Sequence, residues 1–262
     1  MSRVVAKKSL GQHFLSDPNL LGVIGRLAAL EPEETVLEIG PGLGILTRYL
    51  AEHAGLVHAV ELDRSLEPRL RETLAGLQNV RLHWGDALHL DLAALEPPPA
   101  ALVANLPYNV ATPVVVETLV GLPALRRWCV MVQREVADRF FAAPGTKAYG
   151  AVSVVVQLLA ERTGFHPVSR HVFRPPPRVE SALVAFRRSA PPARLAEVRR
   201  VVDAAFAHRR KTLANSLALA GLAERGVAAE AVVRLGRPAD VRAEALVPAE
   251  FVALEEALRS AR

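Results

Sequence analysis

The chain of 262 residues holds one cysteine, Cys129, so no disulfide can form within it. That residue lies inside the apolar stretch Trp128-Cys129-Val130-Met131-Val132 and reads as a buried strand position in a protein kept in a reducing, cytoplasmic compartment. Cys and His at zinc-ligand spacing are also missing, so no metal site is expected. No apolar run reaches the roughly 18 residues of a membrane span. The longest candidate, residues 151–160, is interrupted by Ser153 and Gln157. The first residues carry Arg3, Lys7 and Lys8 with no apolar stretch behind them, so a secretory leader is not expected. Lysine is scarce, standing only at positions 7, 8, 147 and 211. Internal repeats and low-complexity tracts are lacking. What is present is 51% hydrophobic residues, which excludes a disordered chain, and a formal net charge of +5, which favours an anionic partner.

The most informative segment is Asn105-Leu106-Pro107-Tyr108, which closes the apolar run Ala101-Leu102-Val103-Ala104. The run reads as a buried parallel strand, followed by a helix from about Ala111. An exocyclic amine of a base is a poor nucleophile because its lone pair is delocalised into the ring. An Asn oxygen and a backbone carbonyl at Pro107 can accept its two hydrogens and hold the lone pair toward a methyl donor. Tyr108 can stack on an unpaired base. Taken alone, the four residues also fit a strand end punctuated by a turn.

Upstream, the strand-like Val36-Leu37-Glu38-Ile39 runs into Gly40-Pro41-Gly42-Leu43-Gly44 and then a helical stretch from Ile45 to Glu52. Glycines at such a turn let the backbone approach a ligand closely. A second strand, 56–60, ends in Glu61, 21 positions after Gly40, where an acid can bond ribose hydroxyls. To this point a nicotinamide or flavin cofactor fits as well. A third strand, 80–84, ends in Gly85-Asp86-Ala87, and Asp86 can accept from an adenine amine. Glu38 repels a phosphate but suits a cationic amino group. An acidic crevice fits a sulfonium cation better than a dinucleotide, which points to S-adenosylmethionine.

These blocks, in this order, resemble the KsgA-type ribosomal RNA adenine dimethyltransferases. The resemblance rests on Ser9-Leu10-Gly11-Gln12-His13-Phe14-Leu15, 38–44, Glu61-Leu62-Asp63, Gly85-Asp86-Ala87 and 105–109. It continues through Phe173-Arg174-Pro175-Pro176-Pro177-Arg178-Val179 and Arg209-Arg210-Lys211-Thr212-Leu213. It implies two successive methylations on each of two neighbouring adenosines, in a hairpin loop near the 3′ end of small-subunit ribosomal RNA. The partner it implies is an immature 30S particle, met by a monomer, with a role in subunit biogenesis. His13 and Leu15 are then expected to line the donor site, with Gly40 at the methionine part, Glu61 at the ribose and Asp86 at the adenine. Asn105, Leu106, Pro107 and Tyr108 are expected at the reacting centre, with Asn105 also counted among the donor-binding residues. His13 stands where many members have Asn, and Val110 where Ile is frequent.

Strands expected near 35–40, 56–62, 80–84, 101–105 and 127–133 alternate with helices, the doubly wound α/β pattern. A helical region near 150–161 precedes a last strand pair at 163–168 and 181–187. Asp17-Pro18-Asn19 reads as a helix start, with Asp17 as cap and Pro18 at the first helical position. The expected architecture is a Rossmann-like class I methyltransferase sheet over 1–188, joined at Ser189-Ala190-Pro191-Pro192 to an all-helical domain over 189–262. Basic residues fall in groups: Arg3 with Lys7 and Lys8, Arg126-Arg127, Arg170 with Arg174 and Arg178, Arg187-Arg188, and His208 to Lys211. Several together could track a phosphate backbone, and Arg209, Arg210 and Lys211 are the candidates for RNA binding. The alternative for these three is a solvated or capping helix end. Three other functions stay open: a macrolide-resistance methyltransferase of large-subunit RNA, a DNA adenine methyltransferase, and an assembly factor without turnover.

Overall fold

The computed structural model describes residues 6–7 and 10–261; Arg3, Lys8 and Ser9, named above, lie outside the described residues. The chain divides into two compact units, one running up to Ala137 and including Glu161–Arg188, the other made of Asp138–Ala160 and Ser189–Arg262.

The first unit is built on a seven-stranded sheet. Its strands are β2 (Thr35–Ile39), β3 (Leu56–Glu61), β4 (Val80–Trp84), β5 (Ala101–Asn105), β6 (Arg127–Gln133), β7 (Ala160–Val168) and β9 (Ser181–Arg188). The spatial order is β4-β3-β2-β5-β6-β9-β7. Neighbours from β4 to β6 pair in parallel, and β9 lies antiparallel to β6. The parallel strands β2, β3 and β5 read as near-continuous apolar runs because helices cover both faces. Insertion of β9 between β6 and β7 makes the expected last strand pair, with β7 at the sheet edge. A separate short ribbon joins β1 (Phe14–Leu15) to β8 (Phe173–Arg174), with Phe14 opposite Arg174.

Helices α1 (Asn19–Ala28) and α2 (Ile45–His53) supply Leu20, Ile24, Leu46 and Leu50 to a core that also holds Val36, Val57, Val103 and Cys129. Truncating a fully buried leucine such as Leu50 in this core costs about 2–5 kcal/mol. At the start of α1 the Asp17 carboxylate accepts the Asn19 N–H at 2.9 Å, while Pro18 stands one residue before the helix rather than in it. α3 (Glu67–Thr73) follows β3, and α4 (Ala111–Gly121) follows β5. The Arg188 guanidinium donates to the carbonyls of Leu119, Leu122 and Leu125 at the end of α4 and lies over the Trp128 ring. Cys129 is buried, and burial pushes its thiol up to about 12, so it is an inert core residue.

β6 runs on into α5 (Arg134–Phe140). The second unit continues with α6 (Ala151–Leu159), α7 (Leu195–Phe206), α8 (Leu213–Leu219), α9 (Arg225–Arg234) and α10 (Pro248–Ser260). The expected continuous first domain over 1–188 therefore loses an inserted segment, 138–160, to the helical unit. The reason is packing: α6 is apolar on most of its surface and buries that surface against α7 and α10. Phe206 stacks on Phe251 and meets Tyr149 edge to face, and the Tyr149 hydroxyl donates to the Leu246 carbonyl at 2.7 Å.

Candidate active site

In an open parallel sheet, ligands bind outside the carboxyl ends of the strands where the order reverses. Here that point lies between β2, which leads toward β3 and β4, and β5, which leads toward β6. A cleft of about 1080 Å³, open solvent at its mouth included, occupies this place. Its walls are the N-terminal segment 10–15, the turn after β2, the ends of β3 and β4, and residues 105–110 after β5.

The wall from β2 to β4 is built of backbone and carboxylates. Gly40 and Gly42 take left-handed conformations, with φ of 75° and 58°. A side chain at either would be strained and would also meet a neighbour: a Cβ at position 40 would lie 3.3 Å from the Pro107 ring, and one at position 42 would lie 3.0 Å from the Phe14 ring. The glycines thus admit the protein's own opposite wall as well as a ligand. Glu61 is buried, and its two oxygens accept the Gly42 N–H at 3.1 Å and the Asp63 N–H at 2.8 Å. Burial raises its pKa, more than those N–H bonds lower it. Asp86 is half-buried, accepting the Leu88 N–H at 2.9 Å and meeting the His89 ring at 3.0 Å.

Glu38, the third acid expected in this crevice, also lines the cleft. It is 1% exposed, and its Oε2 has no hydrogen-bond partner among the described residues. Burial, reinforced by the charge of Glu61, pushes its pKa up to about 8; Thr47 lowers it less. The Thr47 hydroxyl is itself without a hydrogen-bond partner, so that contact is looser than a hydrogen bond. A buried carboxyl with an unpartnered oxygen in the wall of a cleft is what a cationic ligand group would complete.

The opposite wall is held from distant parts of the chain. Asn105 donates through Nδ2 to the His13 carbonyl at 3.0 Å, which leaves its Oδ1 as the available acceptor. The His13 ring meets the Pro175 carbonyl at 2.8 Å and lies 5.4 Å from the Tyr108 ring. The Tyr108 hydroxyl shares a short hydrogen bond with Ser181. Leu106 lies in the cleft wall and is buried. The Pro107 carbonyl, expected to accept from an amine, already accepts the Val110 N–H at 3.1 Å and keeps one lone pair. Leu15 lies in the cleft wall but is part of the hydrophobic core. Lys7 and Gln12 both donate to Asp63, at 2.6 Å and 2.9 Å. Burial would raise Asp63, but the bonds from Lys7, Ser65 and Gln12 outweigh it and hold the carboxyl far below its usual range.

Of the sequence-predicted residues, His13, Leu15, Gly40, Glu61, Asp86 and Asn105 to Tyr108 come together in this cleft. Arg209, Arg210 and Lys211 belong to the helical unit, between α7 and α8. Arg209 donates to the Tyr149 carbonyl at 3.1 Å and lies 3.7 Å from Glu244, whereas Arg210 and Lys211 are exposed. Other basic groups are also partly spoken for: Arg127 pairs with Glu31 and Glu34, and Arg187 with Glu161. Ser181 gave no signal, being 73 positions from Tyr108. Leu62, 53% exposed in the cleft wall, sat inside the Glu61-Leu62-Asp63 block without an assigned part.

A Rossmann-like sheet with a glycine turn, acidic strand ends and an Asn-Leu-Pro-Tyr wall around one cleft defines a class I, S-adenosylmethionine-dependent methyltransferase. The profile of the family described as ribosomal RNA adenine dimethylase matches residues 4–247, and the chain belongs to that family. It is an enzyme of RNA adenine dimethylation. A relative from Rubrobacter xylanophilus named Ribosomal RNA small subunit methyltransferase A is 51% identical, over 95% of this chain and 93% of its own length. One of the same name from Streptomyces coelicolor is 46% identical, over 95% and 90%. Among solved structures, a dimethyladenosine transferase from Plasmodium falciparum shares the fold, with a TM-score of 0.78, 23% identity, and 92% and 96% of the two chains covered. The 23S rRNA methyltransferase ErmE has a TM-score of 0.69 at 29% identity, covering 94% of this chain and 99% of its own.

Proposed function

We propose that the protein dimethylates the exocyclic amines of two adjacent adenosines in a hairpin loop near the 3′ end of small-subunit ribosomal RNA. It acts as a cytoplasmic monomer on an immature small subunit. The observation that carries this reading is one cleft with carboxylates and a glycine turn on one wall and Asn105 to Tyr108 on the other. Two relatives above 45% identity bear a small-subunit name, which supports the choice of RNA.

Bound S-adenosylmethionine supplies a methyl group on a sulfonium. Gly40 and Gly42 open the backbone to its methionine part, Glu38 lies ready to pair with the ammonium, Glu61 accepts from the ribose hydroxyls and Asp86 from the adenine amine. Each oxygen of Glu61 and Asp86 already holds one donor and retains a second acceptor position. On the acceptor wall, Asn105 Oδ1 and the remaining lone pair of the Pro107 carbonyl take the two amine hydrogens, and Tyr108 stacks on the base. No general base is required, because the amine is neutral before transfer and its proton becomes acidic only as positive charge develops. Rate enhancement then comes from positioning and oriented dipoles. Arg210 and Lys211 face solvent as cations for the RNA backbone, while Arg209 also braces its own unit.

A second reading, a large-subunit RNA methyltransferase, is favoured by the end-to-end likeness to ErmE. Incubation with labelled donor and either immature small subunits or large subunits, followed by mass spectrometry of the digested RNA, separates the two. The expected product is dimethyladenosine at two adjacent small-subunit positions. Methylation confined to large-subunit RNA would establish the second reading instead.

A further inference from the structure

Tyr108 is a half-buried aromatic at the mouth of the cleft, and an aromatic that stacks on a base must hold its plane. Backbone attachment alone does not do this, since rotation about the side-chain bonds sweeps the ring through the cleft. Two contacts restrain it. The His13 ring lies 5.4 Å away with its plane tilted by 32°, and the phenol hydroxyl is bonded to Ser181 Oγ. Ser181 is a fixed point: it is 1% exposed, opens β9, and is in register with Gln133 of β6. The carboxylate of neighbouring Glu180 accepts the Arg170 N–H at 2.9 Å. A buried hydroxyl at the first residue of a strand has no packing reason to be polar. Its hydrogen bond to Tyr108 gives one.

We infer that Ser181 is a positioning residue for the acceptor base, acting through the Tyr108 hydroxyl to fix the plane of the ring on which the target adenine stacks. This rests on the reading of Tyr108 as the stacking residue. It accounts for why the position is tyrosine rather than phenylalanine: the ring supplies the stacking surface, and the hydroxyl locks it to the sheet. It also joins the acceptor wall into one unit. Asn105 is tied to the backbone of His13, the His13 ring lies against Tyr108 and bonds Pro175, and Tyr108 is tied to Ser181. Burial raises the Tyr108 pKa, so the phenol stays protonated through the neutral range and the link persists there.

A double-mutant cycle of Ser181→Ala and Tyr108→Phe in the full-length protein tests this, with methyl transfer to immature small subunits as the readout. A net hydrogen bond of ordinary strength corresponds to about a two- to tenfold effect. Each single variant should lower kcat/KM for the RNA by that factor, leave donor binding unchanged, and show no further loss when the two are combined. Losses that multiply in the double variant, or a Ser181→Ala variant with parental kcat/KM, would overturn the inference. Should Ser181→Ala fold poorly, Ser181→Cys keeps the volume while weakening the bond, and it must show the same non-additivity with Tyr108→Phe. Tyr108→Ala separates this from the underlying reading. If that variant also works at the parental rate, the stacking function of Tyr108 fails; if it is inactive while Ser181→Ala is unaffected, only the positioning by Ser181 fails.

Discussion

The two walls of the cleft are made in opposite ways. The donor wall is local: each part sits at the end of its own strand, and Gly40, Glu61 and Asp86 are placed by β2, β3 and β4 acting as a parallel set. The acceptor wall is assembled from afar. Asn105 is bonded across 92 positions to His13, His13 across 162 to Pro175, and Tyr108 across 73 to Ser181. Damage to the donor wall should therefore appear as weaker binding with some loss of fold, whereas damage to the acceptor wall should appear as lost turnover with binding intact. The reacting amine must be held with an accuracy that one loop cannot supply, and several anchors on separate elements provide it.

The largest expected effect tests that separation. Asn105→Ala removes the oriented acceptor while β5 stays buried, so turnover should fall about 10²–10³-fold, by analogy with lost oxyanion-hole donors. Donor affinity, measured by calorimetry, should stay within a few-fold of the parent. A parallel loss of donor binding would merge the two walls into one.

Glu61→Ala comes next. It deletes acceptors for ribose and for the Gly42 and Asp63 N–H groups together, each charged hydrogen bond being worth about 1.5–3 kcal/mol. Donor affinity should drop by at least tenfold and the melting temperature of the ligand-free protein should fall as well. An unchanged melting temperature would mean that the N–H bonds to Glu61 do not hold the glycine turn.

A subtler effect concerns Glu38. Its pKa is raised from 4.5 to about 8, so the folded chain keeps a proton that the unfolded chain gives up. The stability of the ligand-free protein should therefore fall as pH rises from about 4.5 toward 8, where the unfolded state binds fewer protons. Pairing with a donor ammonium favours the carboxylate, so donor binding should strengthen with pH up to about 8 and release a proton below it. Calorimetry in buffers of differing ionisation enthalpy reads that proton directly. The Glu38→Gln variant should lose the proton release and weaken the stability dependence, the remainder coming from Glu61, whose pKa burial also raises; an unchanged proton release would assign it to another group.

The smallest effect belongs to the helical unit. Arg210→Ala with Lys211→Ala should leave donor binding unchanged and reduce the slope of log RNA affinity against log salt by about 0.7–0.9 per lost phosphate contact. Arg209→Ala should in addition lower the melting temperature, because that side chain braces 147–149 and Glu244.

The same contrast decides what could be read from the amino-acid sequence. The strands of the sheet and the donor wall were legible because apolar runs ending in glycine or an acid carry their position with them. Helix α6 was legible as a helix but not as part of the second unit, since its apolar surface does not say which elements cover it. Ser181 was invisible because nothing local distinguishes a strand-opening serine from any other. The basic groups misled in part: Arg188 caps carbonyls and Arg127 pairs with acids, and charge alone does not separate a brace from a phosphate contact.

A crystal structure of the protein with S-adenosylhomocysteine tests the division of the cleft most directly. The ribose hydroxyls should meet Glu61, the adenine amine Asp86 and the ammonium Glu38, with the sulfur facing Asn105 and Tyr108. A ligand whose ribose lies away from Glu61, or whose sulfur is turned from Asn105, would contradict the account.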